Sequence, residues 1–139
     1  MVNGSPIEQL LGALDNLDAE AAVALFTSDG RVLTADGRRA GGRDAVHELL
    51  SEFFAGLRSM THRITAQWHQ ENAWIAEVDG TYELRDWLKI GPLPRALVLL
   101  AGPDGISELH VYGAHERPLT DHGTGEGGFW IADHWIAPL

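Results

Sequence analysis

His62 is the residue of the sequence best suited to proton chemistry. In the stretch SMTHRITAQW, a period of two places His62, Ile64, Ala66 and Trp68 on one side of a strand. An imidazole can take up and release a proton near neutral pH, so this pattern is typical of a catalytic histidine beside an apolar pocket. The same pattern is also compatible with a buried histidine that makes one hydrogen bond and does no chemistry.

Tyr82 and Asp86 are two further polar residues on a mostly apolar face. In AWIAEVDGTYELRDW, alternation puts them on the side of Trp74, Val78 and Leu84. A tyrosine hydroxyl can donate to a substrate carbonyl, and an aspartate at a cavity mouth can act as a base. The alternatives are that Tyr82 packs with its hydroxyl at the rim, and that Asp86 belongs to a solvated turn.

The elements that must position these side chains change character along the chain. Three helices are predicted: SPIEQLLGALDNLD with a Ser5–Glu8 capping box, DAEAAVALF capped by Asp18 and broken near TSDG, and GRDAVHELLSEFFAGL. RVLTADGRRAGG, before the third helix, predicts a strand and a glycine-rich turn. Four strands follow in MTHRITAQWH, AWIAEVDGTYELRDW, PRALVLLAG and ISELHVYGAH, with turns in QEN, KIGPLP and GPDG. This order predicts an α+β fold with helices on one face of an antiparallel sheet.

Composition narrows the classes of partner. The 139 residues are enough for one domain with a core, and a net charge of -10 disfavours binding to nucleic acid or anionic membranes. The sequence has no cysteine, which excludes thiol catalysis and zinc–thiolate sites. It shows no secretory signal pattern and no apolar run that could span a bilayer. A cytoplasmic protein with a small-molecule or protein partner is therefore expected.

The order and spacing of several phrases resemble the SnoaL-like polyketide cyclases of the nuclear transport factor 2-like superfamily. These phrases are DNLDAEAAVALFTSDGRVL, GRDAV, THRI and GPDGISELHVY, and the resemblance covers the chain from Ile7 to Leu119. It implies a cone-shaped domain, in which a curved sheet wraps over the helices around one apolar pocket, and a homodimer formed through the sheet. It does not imply one activity, because the superfamily contains isomerases, cyclases, dehydratases, epoxide hydrolases and non-catalytic binders.

Two branches of the superfamily are disfavoured by the residues at their functional positions. The tyrosine and two aspartates of the steroid isomerases align with Leu10, Thr34 and Ala96. The limonene epoxide hydrolase pattern needs an arginine and two aspartates around a bound water. Its last aspartate aligns near Val111, and the RD of YELRDW lacks the intervening residue.

The dehydratase branch implies a partner for His62. Scytalone dehydratase and bile-acid dehydratase relatives place an aspartate at the end of the first helix and a histidine on the first long strand. These positions align with Asp15 and His62, although the accompanying tyrosine is missing at Leu10 or Leu14, and PRALVLL lacks a second pocket histidine. By this resemblance Asp15 fixes the tautomer of His62, and His62 moves a proton at the substrate. Asp15 could instead cap the second helix.

Seven apolar residues are expected to line the pocket or the adjoining core: Trp68, Trp74, Val98, Leu100, Leu109, Val111 and Leu14. An apolar, aromatic cavity suits a flat polycyclic or terpenoid ligand. His110 and Tyr112 fall on the opposite face by alternation. Ala114 stands where the family often has an aspartate, and His115 is a weak substitute for it.

Residues 120–139 are predicted to be a tail that docks on the cone domain of residues 1–119. The tail sequence FWIADHWIAPL is too apolar to extend into water, so it is expected on the pocket mouth or on a partner subunit. The Asp-His pairs at 121–122 and 133–134 are adjacent residues, which rarely bind one ion together, so no metal is predicted.

These observations predict a small-molecule enzyme of secondary metabolism that needs no cofactor. It would perform cyclisation or dehydration by proton transfer on a polyketide-like or other apolar substrate, with His62, Asp15, Tyr82 and Asp86 as catalytic residues. The alternatives are a non-catalytic ligand-binding or assembly protein on the same fold, and an epoxide hydrolase-like enzyme.

Overall fold

The computed structural model of the chain describes residues 4–113, 129–131 and 134–136. Helices α1 (Pro6–Asp15) and α2 (Ala19–Ala24) come first, followed by strands β1 (Phe26–Leu33) and β2 (Arg39–Gly41) and by helix α3 (Arg43–Ala55). Four longer strands follow: β3 (Leu57–Gln70), β4 (Ala73–Leu84), β5 (Lys89–Gly102) and β6 (Gly105–Gly113). The short strands β7 (Phe129–Ile131) and β8 (His134–Ile136) pair with each other in a separate hairpin.

Strands β1 to β6 form one curved, unclosed sheet in the order β2-β1-β6-β5-β4-β3. The meander from β3 to β6 is antiparallel throughout. The predicted α+β class, with a curved sheet and helices, is confirmed. One pairing differs from the expected antiparallel sheet, because β1 runs parallel to β6, which the chain reaches only after α3 and three further strands.

Helices α1 and α2 begin where their capping residues predict. The Ser5 hydroxyl accepts from the backbone N–H of Glu8, and the Glu8 carboxylate accepts from the backbone N–H of Ser5, each at 3.1 Å. Asp18 accepts from the backbone N–H of Ala21 at 3.0 Å, so it is the cap of α2. These bonds satisfy donors that the first turn leaves without partners. They fix the start of each helix, and α1 then ends at Asp15.

The core lies between the helices and the inner face of the sheet. Burying one large apolar side chain contributes about 1.5–3 kcal/mol relative to leaving it exposed. The largest fully buried side chains come from α1, α3 and five strands: Phe26, Ile7, Leu10, Leu57, Leu99, Ile106, Val46 and Val78. This packing holds α1 and α3 against the sheet.

A register shift in β3 decides which of its residues face the core. His62 pairs with Gly80 on the inner face, but the register shifts after Ile64, and Trp68 then pairs with Ile75 on the exposed outer face. One extra residue in a strand reverses the alternation of side chains beyond it. The prediction of one continuous face from His62 to Trp68 is therefore wrong after Ile64.

The predicted turn KIGPLP is part of β5. The connection between β4 and β5 lies at residues 85–88, where the backbone N–H of Leu84 donates to the carbonyl of Leu88 at 2.8 Å. Gly91 has a φ of 116°, a left-handed conformation that suits glycine, and the register between β4 and β5 shifts beside it. Glycine and proline here mark an irregular strand and not its end.

The segment TSDG is also strand, because it lies within β1, whose pairing with β6 is irregular between Phe26 and Arg31. The glycine-rich segment after β1 contains β2, which pairs antiparallel with β1. The start of β1 and the presence of β2 do not follow from the alternation of apolar residues, because TSDG and the segment of β2 are short and polar.

Several predictions fall outside the described residues. They are the domain boundary at residue 119, the positions Ala114 and His115, the Asp-His pair at 121–122, and Asp133. The docking of the tail stays a prediction. Of the helices that the structure describes, none is both long enough and apolar enough to cross a bilayer.

Candidate active site

A mainly apolar cavity of about 120 Å³ lies between α1, α3 and the inner face of the sheet. Leucines of both helices form one wall, and residues of β1, β3, β4, β5 and β6 form the other. The polar and charged side chains that line it are Thr34, Asp36, His62, Tyr82 and Arg95. A few convergent polar groups in an apolar cavity are typical of a small-molecule site.

His62, which lines the cavity, is joined to Asp15 by two contacts. Oδ2 of Asp15 accepts from the backbone N–H of His62 at 3.0 Å, and Oδ1 lies 2.6 Å from the imidazole Nδ1. Because a carboxylate only accepts, Nδ1 carries the proton and Nε2 is the nitrogen available for chemistry. The structure thus brings together two residues that lie 47 positions apart in the sequence.

The His62 side chain is largely shielded from solvent, with 7% of it exposed. The Asp15 side chain, at the end of α1, is partly exposed. In such surroundings water competes little for hydrogen bonds, so the contact between the two side chains is strong. The carboxylate stabilises the imidazolium that forms when Nε2 takes a proton. The geometry is therefore suited to a general base held in one orientation.

Tyr82 lies on the other side of the imidazole. Its hydroxyl is 3.4 Å from Nε2 of His62, and the two rings meet edge to face with centroids 5.8 Å apart. Since Nδ1 carries the proton, the hydroxyl points its own proton toward Nε2. A hydrogen bond of this length is weak. The hydroxyl can therefore turn to a ligand oxygen at little cost.

Gly80 allows this close approach. It pairs with His62 across β3 and β4, and a Cβ built on it would lie 2.6 Å from the Tyr82 hydroxyl and 3.2 Å from Cδ2 of His62. Glycine inside a strand costs stability and often marks a place where another group comes near. The glycine in VDGTYE was the sequence signal that could have located this contact.

Arg95 is the residue that sequence reasoning missed. It is 9% exposed, it lines the cavity, and its Cζ lies 5.8 Å from the centre of the Tyr82 ring. The strand PRALVLL is apolar in both alternating sets, so its pattern does not show which set faces inward. A charged residue is normally assigned to the surface. The register with β4, where Arg95 pairs with buried Val78, places it inside.

Only some of the predicted lining residues are found at the cavity, namely Leu14, Leu109 and Val111. Trp74 packs against the core, with its ring stacked on His69 at a centroid distance of 3.6 Å. Trp68 is 52% exposed on the outer face because of the register shift in β3. Val98 and Leu100 also face outward, because alternation in β5 turns the opposite set inward.

Asp86 lies away from the cavity, in the exposed turn between β4 and β5. Its Oδ1 accepts from the backbone N–H of Leu88 at 3.0 Å. Asp86 therefore belongs to a solvated turn and is not a base at the cavity mouth. The reason is that β4 ends at Leu84 and the turn places Asp86 at the surface. His110 and Tyr112 lie opposite Val111, and His110 contacts Glu108 at 3.1 Å.

The three positions that align with the functional residues of the steroid isomerases hold no acidic residue. Leu10 and Thr34 line the cavity, whereas Ala96 does not. Within the described part of the chain, no three His, Asp or Glu side chains are grouped so that they could hold a metal ion.

Comparison with known proteins finds a family that the sequence matches. A family model described as a SnoaL-like domain matches residues 7–116. No curated protein matches the sequence significantly.

Several solved structures share the fold. A hypothetical protein with a ketosteroid isomerase-like fold from Catenulispora acidiphila, solved with trimethylamine, has a TM-score of 0.72 at 17% identity, over 80% of this chain and 86% of that one. A proposed SnoaL-like polyketide cyclase from Shewanella denitrificans gives 0.69 at 11% identity, over 77% and 86%. An LEH-like epoxide hydrolase of M. tuberculosis gives 0.67 at 18% identity, over 78% and 79%. At these identities the likeness shows the fold alone.

Proposed function

The chain belongs to the SnoaL-like domain family, and from this premise we propose that it catalyses a cofactor-independent proton transfer on an apolar small molecule, in a cyclisation or a dehydration. The observation that carries the proposal is the contact of 2.6 Å between Asp15 and His62, a residue that lines the apolar cavity. Fold alone does not decide among the reactions of such a family. The residues of the cavity are therefore the basis of the proposal.

The proposed reaction begins when Nε2 of His62 takes a proton from a carbon next to a substrate carbonyl. The electron pair moves onto the carbonyl oxygen, where the Tyr82 hydroxyl donates a hydrogen bond to the enolate. Asp15 stabilises the imidazolium and keeps its orientation. In a dehydration the imidazolium then protonates the departing hydroxyl, and in an aldol cyclisation it protonates the new alkoxide. The substrate carbonyl holds the electrons, so no cofactor is needed.

The size of the cavity limits what part of a substrate it holds. Its volume of about 120 Å³ is close to that of an apolar cavity of about 150 Å³ that binds benzene. The reacting part of the substrate is therefore about one ring, and a polycyclic molecule would extend beyond the cavity. This favours a small apolar or polyketide-like substrate with one enolisable ring.

A binding protein without catalysis is the second candidate. The observation that favours it is the Tyr82 hydroxyl beside Nε2, which occupies the nitrogen that must accept the proton. In this alternative the polar groups only orient a ligand. Epoxide hydrolysis has less support, since Val111 is apolar in the cavity wall and Asp86 lies in the exposed turn.

Proton exchange distinguishes catalysis from binding without knowledge of the natural substrate. Cyclohexanone and 2-tetralone would be incubated with the protein in D₂O, and loss of their α-proton signals followed by NMR. Catalysis predicts saturable exchange about 10²-fold or more above buffer for at least one ketone. His47→Gln, at an exposed histidine of α3, should leave the rate unchanged. Ketones that shift the cavity resonances yet exchange no faster than in buffer would establish binding alone.

A further inference from the structure

We propose that Arg95 binds an anionic oxygen of the ligand, so that the substrate class is an apolar carboxylic acid. This inference rests on the proposed function, because it assigns the substrate of the same cavity. It begins from one fact: Arg95 lines an apolar cavity, and the residue is nine-tenths buried. Such a cation is costly to bury unless an anion or several hydrogen bonds accompany it.

Arg95 has no anionic partner of its own in the described residues. The ion pairs of this part of the chain involve Arg31, Arg38 and Arg63 and three histidines, but not Arg95. Its described contact is with the face of the Tyr82 ring at 5.8 Å. A contact between a cation and an aromatic ring compensates only part of the lost hydration. The donors of the guanidinium therefore remain available to a ligand.

The carboxylate that lines the cavity, that of Asp36, is bound to other partners. Oδ1 of Asp36 accepts from the Thr34 hydroxyl, and it also accepts from the backbone N–H of Arg38 at 3.3 Å. Both partners belong to the loop between β1 and β2. Asp36 is thus fixed in its own loop, and the Asp15 carboxylate is bound to His62.

The backbone leaves space for the Arg95 side chain at one position. Arg95 pairs with Gly113 across β5 and β6, and a Cβ on Gly113 would lie 2.6 Å from Nη1 of Arg95. The guanidinium occupies the volume above this glycine. The glycine in the neighbouring strand therefore helps to fix the position of the guanidinium.

Tyr82 connects this anion site to the proton-transfer pair. Its ring faces the Arg95 guanidinium, and its hydroxyl lies 3.4 Å from Nε2 of His62. A carboxylate can accept two parallel hydrogen bonds from a guanidinium, which fixes the orientation of the molecule that carries it. A ligand held in this way would present its apolar body to the leucines and a neighbouring carbon to His62.

Binding of matched small probes tests the assignment without catalysis. Benzoate and benzamide have the same ring and differ in charge, so their dissociation constants would be measured by calorimetry or NMR titration. Wild type should bind benzoate about tenfold or more tightly than benzamide, as expected for charge-assisted hydrogen bonds. Arg95→Met should abolish the preference, and Arg63→Met, which removes a charge at an exposed position, should retain it.

Two further variants keep the test decisive if Arg95→Met does not fold. Arg95→Lys keeps the charge but loses the planar pair of donors, and Gly113→Ala keeps the arginine but displaces its guanidinium. Both should weaken the benzoate preference severalfold. Equal binding of benzoate and benzamide by wild type would overturn the proposal, as would an unchanged preference in Arg95→Met.

Thermal unfolding without ligand adds an independent readout. A guanidinium that awaits a ligand predicts that Arg95→Met is as stable as wild type or more stable. A lower Tm for this variant would reflect lost packing of the arginine against Tyr82, and the benzoate preference of Arg95→Lys and Gly113→Ala would then decide the assignment. His62→Gln should keep the benzoate preference. A wild type that prefers benzoate but does not accelerate proton exchange would contradict only the proposed chemistry.

Discussion

His62 has three polar contacts, and each defines a different part of its role. Its backbone N–H and Nδ1 both point to Asp15, and Nε2 points to Tyr82 and the cavity. One carboxylate therefore fixes both the strand and the ring of the histidine. An asparagine has the same shape but a single acceptor oxygen, so it cannot satisfy both donors.

Asp15→Asn is expected to leave one of these donors without an acceptor. The free energy of unfolding should fall by roughly 1–3 kcal/mol, which is the usual cost of an unsatisfied buried donor. Chemical denaturation measures this change, and ¹⁵N NMR of the His62 ring should show a protonated Nδ1 in wild type and an altered tautomer in the variant. Asp86→Asn, in the exposed turn, is the matched control and should change neither. An Asp15→Asn protein with wild-type stability and an unaltered His62 spectrum would contradict this role.

The site was only partly predictable at the level of residues. Alternation identified His62 and Tyr82 because each is a polar residue on an apolar face. The pairing with Asp15 came from resemblance, since nothing local links residues 47 positions apart. Arg95 could not be found because a buried cation contradicts the usual distribution of charge, and its position depends on pairing with another strand.

Strands β3 and β4 carry the contact between His62 and Tyr82, and Gly80 is the position where the two strands leave space for it. Alternation predicted the inner face of β4 correctly, because the opposite face is polar. In β3 the register shift after Ile64 reversed the face. In β5 both faces are apolar, so the prediction chose the wrong alternating set, that of Val98 and Leu100, as the inner face. Irregularities in pairing have no clear sequence signal, which limits such predictions.

Gly80→Ala is expected to disturb this contact. The new methyl group would lie 2.6 Å from the Tyr82 hydroxyl, so the tyrosine must shift. Overpacking of this kind costs about 1–3 kcal/mol, and proton exchange should slow as well. Gly102→Ala, at the end of β5, has no heavy atom within 4 Å of the new Cβ and is the matched control. Equal stability and exchange rates in the two variants would refute the role of Gly80.

At the scale of the whole molecule, the outer face of the sheet carries three exposed large apolar or aromatic side chains. Trp68, Ile75, Val98 and His110 are neighbours across four strands. Trp68, Ile75 and also Tyr112 are exposed there. Exposed apolar patches of this kind are typical of protein interfaces. We propose this face as the surface of a homodimer.

Ile75→Asp is expected to break that dimer. A carboxylate in the middle of an apolar interface loses its hydration, so the variant should elute as a monomer at micromolar concentration. Size-exclusion chromatography with light scattering measures the mass. Leu88→Asp changes an exposed leucine in the turn between β4 and β5 and should remain dimeric. A monomeric wild type at the same concentration would contradict the proposal.

A double-mutant cycle between Asp15 and His62 tests most directly whether the two residues act as one proton-transfer unit. The value of kcat/KM for α-proton exchange would be measured, with the fastest ketone, for wild type, Asp15→Asn, His62→Gln and the double variant. His62→Gln should lose about 10²–10⁴-fold, and the double variant should lose no more than His62→Gln alone, since Asp15 acts through the histidine. A His62→Gln rate within about twofold of wild type, or losses that multiply in the double variant, would contradict a shared proton-transfer role.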